Sequence, residues 1–193
     1  MSLACPACNN SIATAPGAGF AEPRVLTRYI NEGGLQENLD ILPLIVEEAY
    51  LDANPAARPA RAFMTLCAEG DIGGIIELLK AIEEDSDEGD LSPGELLRFQ
   101  DPLDNGKCGL HVAIQKNQQE VVWLMLWLAS GVSTQAFPRE FQQAAASMEV
   151  GRETANGPDV RGFRDEDHQN AMELARGMGD LWTSLLQTGV FAI

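Results

Sequence analysis

Three segments of this chain share a short helical pattern that restricts the fold more than any other feature. Each begins with a large apolar residue and closes on glycine or asparagine, and an apolar run with helical spacing follows it. The segments begin at Phe63, Leu110 and Met172, and their following runs begin at Ile75, Val121 and Leu181. One such helix pair cannot bury its own apolar face, so the pairs are expected to stack side by side.

The middle segment carries the most specific pattern. It reads Gly106-Lys107-Cys108-Gly109-Leu110-His111-Val112-Ala113. Its glycine, leucine, histidine and alanine agree with the repeat motif Gly-x-Thr-Pro-Leu-His-x-Ala, so the chain resembles the ankyrin-repeat family. Cys108 and Gly109 depart from that motif at its threonine and proline positions.

The resemblance covers residues 61–189 and implies an all-α, ankyrin-like solenoid of helical hairpins. Both spacings between the three segments exceed the family period of about 33 residues. An acidic insertion at 83–90 and an added helical turn at 92–99 account for the first excess. The second spacing exceeds the family period by nearly the length of a whole repeat. Residues 137–148 are therefore interpreted as a degenerate repeat, followed by a long loop at 150–167. The alternative is an unrelated α-hairpin protein.

Several residues are expected to serve the repeats structurally. The resemblance implies that His111 hydrogen-bonds neighbouring turns and is not catalytic. Gly70, Asn117 and Gly179 fall where a left-handed residue ends the first helix of a pair. The remaining assignments are an apolar anchor, two small residues that allow close helix approach, and a turn glycine: Leu110, Ala113, Ala175 and Gly106.

The first sixty residues lie outside the resemblance. Residues 1–19 have no period and predict an irregular arm. Residues 20–54 predict a helical N-terminal extension, with one helix over 23–31 and another over 35–51. Pro43 either kinks the second helix or marks its true start. No stretch alternates apolar and polar residues convincingly, so almost no β-sheet is expected.

The net charge of the chain favours some classes of partner over others. The chain has 13 Lys and Arg against 29 Asp and Glu, a formal net charge of −16. Such a surface repels phosphate backbones, which argues against nucleic acid, and attracts proteins rich in lysine and arginine. The alternative is that the charge only maintains solubility. The densest acidic run is either a solvated loop or a contact for a basic partner: Glu83, Glu84, Asp85, Asp87, Glu88 and Asp90.

Two tryptophans are the aromatic candidates for partner binding. Trp123 and Trp127 are four residues apart and therefore share one helix face. They either pack against a neighbouring repeat or form an exposed anchor for a partner, since tryptophan is enriched among binding hot spots.

Cys5-Pro6-Ala7-Cys8 has the spacing of half a zinc site. A closed site needs two more ligands, and Cys67 and Cys108 occupy core-like positions while neither histidine is suitably spaced. No phosphate loop, dinucleotide fingerprint or nucleophile signature is found. The sequence therefore assigns no catalytic residue and no cofactor, and a zinc- or thiol-dependent protein remains the alternative from another class.

These observations predict a non-catalytic protein–protein interaction module, an adaptor or a subunit of a larger assembly. An acidic escort for a basic protein, such as a ribosomal protein, is the alternative. The longest apolar run, Val121–Ala129, is far shorter than the roughly 20 residues that a bilayer requires, so no membrane partner is expected. The cytoplasm or the nucleus is the expected compartment.

Overall fold

The computed structural model describes residues 3–5, 7–14, 23–84 and 91–193. The chain divides into two compact units, Met1–Pro55 and Ala56–Ile193. Helices predominate in the described residues, which confirms the mostly helical class, and two small two-stranded sheets accompany them. Within those ranges, no helix has both the length and the apolar character needed to cross a bilayer.

The first unit contains a β-hairpin followed by one helix. Strand β1 (Leu26–Asn31) pairs antiparallel with β2 (Gly34–Asp40), and helix α1 (Leu42–Ala53) follows. The Asp40 carboxylate joins these elements, because it accepts hydrogen bonds of 3.1 Å from the backbone N–H groups of both Val25 and Leu42.

The hairpin corrects the prediction of a wholly helical extension over 20–54. The helix predicted over 23–31 is wrong, and so is the expectation of almost no β-sheet here. The Gly33-Gly34 pair forms the hairpin turn: the Asn31 side chain accepts the Gly33 N–H at 2.9 Å, and Gly34 has a φ of 124°. The β-branched and aromatic side chains of β1 favour extended backbone. Pro43 lies in the first turn of α1 and so marks its start.

The second unit is built mainly from helix pairs joined by short turns. Its elements in chain order are α2 (Arg58–Glu69), α3 (Ile72–Glu84), α4 (Pro93–Leu97), β3 (Gln100–Asp101), β4 (Lys107–Cys108), α5 (Gly109–Gln115), α6 (Gln119–Ala129), α7 (Arg139–Ala146), α8 (Ala171–Gly177) and α9 (Thr183–Gln187). Strands β3 and β4 form a small antiparallel hairpin directly before α5. Single turns of 3-10 helix lie at Pro55–Ala57, Thr134–Ala136, Val160–Gly162 and Asp180–Trp182.

Helix α5 lies at the centre of the second unit. It packs against α2 and against α8, and each of these three helices also packs against the helix that follows it in sequence. Leu110, Ala113 and Ala175 are fully buried in the resulting core. Complete burial of a leucine contributes about 1.5–3 kcal/mol, so these contacts bind the three helix pairs into one unit.

Local signals define several helix ends. The helical turn predicted within 92–99 is confirmed as α4, and Ser92 and Glu95 form a reciprocal capping box at its start. Gly70 follows α2 with a φ of 81°, and Asn117 follows α5 with a φ of 59°. Gly179 has a φ of 85° at the start of the last 3-10 turn. These three residues are of the types that adopt positive φ at least cost.

The region between α6 and α8 does not form a further layer between α5 and α8, because those two helices contact each other directly. The interpretation of residues 137–148 as an inserted degenerate repeat is therefore wrong. Its aromatic residues Phe137 and Phe141 instead contact the tryptophans of α6. An apolar helix with the right internal spacing can pack against any exposed apolar face, so spacing alone did not define its place.

The close approach of α2 and α5 provides a stability test at Gly109. A Cβ at this position would lie 2.8 Å from Phe63 Cε1 and 2.9 Å from Cys67 Sγ, both in the core. We expect Gly109→Ala to lower the free energy of unfolding by about 1–3 kcal/mol, although alanine favours helices. Gly73→Ala is the matched control, since its Cβ would meet only Asp71 Oδ1 at 3.5 Å. Urea unfolding measures the stability of both variants. Equal free energies of unfolding for Gly109→Ala and Gly73→Ala would contradict this close packing.

Candidate functional site

A groove of about 360 Å³ runs along the second unit, between α2, α5 and the turn that joins β3 to β4. Met64 and Val112 form an apolar floor, and both are almost completely buried. Leu103 projects from the turn with 36% of its surface exposed. The exposed side chains of Glu69 and Lys116 line the same groove. An apolar floor with charges of both signs beside it suits a polypeptide segment better than a small polar metabolite.

The turn beside the groove is held by a buried carboxylate. Asp101 is 1% exposed, forms an ion pair with Arg61 of α2, and accepts the Leu103 N–H at 2.9 Å. The following residues Asn105 and Gly106 have φ values of 50° and 65°, which close the turn. Because Asp101 fixes the turn to α2, it also fixes the position of Leu103 at the edge of the groove.

His111 connects neighbouring turns and does not face the groove. Its Nδ1 accepts the Cys108 N–H at 3.3 Å, so Nε2 carries the proton and donates to the Gln169 carbonyl at 3.1 Å. Burial lowers the pKa of His111, since removal from water disfavours the charged ring. The histidine thus links the start of α5 to the segment that precedes α8, which is a structural task.

The two tryptophans of α6 lie in an aromatic cluster within the second unit. Trp123 and Trp127 are half-buried, and their ring centroids lie 5.5 Å and 5.1 Å from that of Phe137. The Arg152 guanidinium carbon lies 5.1 Å from the centroid of the Trp127 ring. Most of each ring therefore packs against other residues of this chain. A role for either tryptophan in binding a partner stays a prediction.

The acidic candidates are only partly within the described residues. Glu83 and Glu84 are exposed at the end of α3 and line a shallow cavity with Lys80 and Glu149. Lys80 and Glu149 form an ion pair of 3.1 Å there. The other four candidates lie outside the described residues: Asp85, Asp87, Glu88 and Asp90.

The cysteines have two different environments. Cys67 and Cys108 are fully buried, and burial raises the pKa of Cys67 and raises the pKa of Cys108 to about 11. Both are therefore inert thiols at neutral pH. Cys5 and Cys8 lie in the first unit, where Cys8 is exposed and Cys5 is half-buried. In the part of the chain that the structure describes, no three His, Cys, Asp or Glu side chains are grouped as metal ligands.

Arginine contacts are the features that sequence reasoning missed. Arg98 donates to the carbonyls of Pro158 and Glu153 at 2.8 Å and 2.7 Å. Arg152 donates to three carbonyls around the end of α6, among them that of Trp127 at 2.6 Å. These contacts hold the irregular 150–167 segment against the helices. Carbonyl acceptors leave no mark in a sequence, so no signal would have identified them.

Comparisons of this chain with protein-family models, with curated proteins and with solved structures gave no match.

The buried histidine gives a pH test. Because the folded-state pKa of His111 is lowered, the unfolded chain binds a proton before the folded chain does as the pH falls through about 6.5. The histidine's contribution to stability is thus present above that pH and is lost below it, by at most about 1.4 kcal/mol per pH unit. We expect His111→Gln to flatten the dependence of the free energy of unfolding on pH, measured with urea across this range.

His168→Asn is the control for this experiment. His168 is exposed and has a φ of 61°, which asparagine tolerates, so this variant shows whether the loss of any histidine changes the slope or only the loss of His111. An equal slope in His111→Gln and in the wild type would show that His111 is not held neutral.

Proposed function

We propose that this chain is a non-catalytic protein-recognition module, an adaptor or a subunit of a larger assembly, with an ankyrin-like arrangement of its helix pairs. The groove between α2, α5 and the β3–β4 turn is the single observation that carries the proposal. Its apolar floor supplies the hydrophobic contribution, and Glu69 and Lys116 supply directional polar contacts.

Three features of the second unit support the ankyrin-like arrangement. Helix α5 packs between α2 and α8, and a short β-hairpin precedes α5. Neighbouring turns are connected: the Gln100 side-chain amide donates to the Gly106 carbonyl at 2.8 Å and to the Arg164 carbonyl at 2.9 Å. His111 makes the connection between turns that the family resemblance implies.

The charge of the chain favours a basic partner. Part of the positive charge is directed inward: Arg61 pairs with buried Asp101, and Arg161 makes two hydrogen bonds of 2.9 Å and 2.6 Å to Asp159. Arg98 and Arg152 donate to backbone carbonyls. With a net charge of −16, the surface that remains attracts cationic proteins. An escort for a basic protein, such as a ribosomal protein in the cytoplasm or nucleus, is therefore the second candidate function.

The groove is tested by adding a charge where an apolar contact is proposed. We expect Leu103→Asp to reduce partner recovery about tenfold, equivalent to about 1.4 kcal/mol, because a carboxylate at an apolar contact must be desolvated. Leu181→Asp is the matched control, since Leu181 is 47% exposed and does not line this groove. Pull-down from native lysate with quantitative mass spectrometry provides the measurement, after thermal unfolding has shown that both variants fold. Recovery of the same partners in equal amounts by both variants would refute a role for the groove.

The two candidate functions differ in their dependence on salt. An escort for a basic protein gains much of its association rate and affinity from opposite charges, so binding should weaken steeply as the ionic strength rises past physiological values. An adaptor that binds mainly through the apolar floor should lose little. Titration of the captured partner at low and high sodium chloride separates the two, and affinity independent of salt would remove the escort.

A further inference from the structure

Two asparagine–glycine pairs occur in this chain, Asn105-Gly106 and Asn156-Gly157. In such a pair the backbone nitrogen of the glycine can attack the side-chain carbonyl of the asparagine, because glycine has no Cβ to shield its nitrogen. The attack requires the peptide group between the two residues to rotate. Hydrogen bonds to that peptide group therefore decide whether the reaction proceeds in the folded protein, and the two pairs differ in these bonds.

The first pair closes the β3–β4 turn, and its peptide group is held on both sides. The Gly106 N–H donates to the Asp101 carbonyl at 2.9 Å, and the Asn105 carbonyl accepts the Glu166 N–H at 2.8 Å. Rotation of this peptide group would break both hydrogen bonds. The fold therefore protects Asn105 from attack by the Gly106 nitrogen.

The second pair lies in the 150–167 segment, and both of its residues are exposed. Among the described residues, neither the Asn156 carbonyl nor the Gly157 N–H has a hydrogen-bond partner. The Asn156 side-chain amide donates to the Glu153 carboxylate, an exposed contact that water replaces at little cost. The peptide group of this pair is therefore free to rotate, and water reaches the reacting atoms.

We propose that Asn156 is a site of spontaneous deamidation in the folded protein, whereas Asn105 is protected. The Gly157 nitrogen forms a bond to Cγ of Asn156 and loses its proton, the bond from Cγ to Nδ2 breaks, and ammonia leaves with that proton. The product is a cyclic imide. Water then adds to one of the two imide carbonyls and opens the ring, which leaves a carboxylate and involves no change in oxidation state.

The reaction changes a segment that Arg98 holds. The Arg98 guanidinium donates to the Glu153 carbonyl at 2.7 Å and to the Pro158 carbonyl at 2.8 Å, on either side of Asn156. Opening of the imide at the backbone carbonyl gives isoaspartate, which lengthens the main chain between these two acceptors by one methylene. The new carboxylate also faces that of Glu153, so repulsion replaces a hydrogen bond. Deamidation therefore loosens this segment and adds one negative charge.

Incubation of the full chain at mildly alkaline pH in heavy-oxygen water tests the site. Trypsin separates the two asparagines, because Asn105 falls in the peptide Phe99–Lys107 and Asn156 in Glu153–Arg161. Mass spectrometry of each peptide then counts the heavy oxygen that ring opening introduces. We expect Asn156 to convert at least about tenfold faster than Asn105, since disruption of one backbone hydrogen bond corresponds to about this factor in rate.

The same incubation in guanidinium chloride is the control for sequence effects. Unfolding removes the hydrogen bonds that protect Asn105, so both asparagines should convert at similar rates there. Equal rates in the folded chain would overturn the proposal. So would a difference that persists after unfolding, because it would come from the neighbouring residues in sequence and not from the fold.

Limited trypsin digestion of the native protein tests the loosening. After incubation, the wild type should be cleaved within 150–167 several-fold faster than before, whereas Asn156→Gln should be unchanged, because glutamine closes the corresponding larger ring far more slowly. Asn156→Asp carries the new charge without the added methylene and separates the two effects. Equal cleavage of the incubated wild type and of Asn156→Gln would overturn the loosening. None of these measurements involves the groove, so this proposal and the proposed function fail separately.

Discussion

The burial of α5 between α2 and α8 is the interaction on which the second unit depends. Gly109, at the first turn of α5, allows the helix to approach Phe63 and Cys67 more closely than any side chain would permit. Leu110 and Ala113 then bury their apolar surfaces completely. Because each helix pair exposes an apolar flank that its neighbour covers, no pair is expected to be stable alone.

Polar contacts convert this packing into a defined surface. Asp101, buried beside Arg61, fixes the β3–β4 turn, and His111 links the start of α5 to the segment before α8. A buried charge is tolerated only when it is paired and hydrogen-bonded, so such groups specify one position for the turn. Arg98 and Arg152 do the same for the 150–167 segment through carbonyls. The shape of the groove therefore depends on a few buried polar side chains.

Prediction from sequence succeeded where the structure depends on residues close together in the chain. It failed where contacts between residues far apart in the sequence select the structure. The helical turn at α4 and the periodic helices α2, α3, α5 and α6 depend on neighbours a few residues away. Gly33-Gly34 ends a helix or turns a hairpin equally well, and only pairing of β1 with β2 selects the hairpin. The sequence left the tryptophans of α6 either packed within the chain or exposed as an anchor for a partner. Their contacts with Phe137 and Phe141 are visible only in the tertiary structure.

By itself, the sequence determined the mostly helical class, the positions of the central helices, the surplus of negative charge and the spacing of two cysteines in one short motif. Each of these depends on composition or on residues within one helical turn of each other. Only the tertiary structure decided that α5 contacts α8 directly, that α7 covers the tryptophans, and that Leu103 lies above an apolar floor. These features join residues distant in the chain, where apolar burial is non-directional and many pairings satisfy the same pattern.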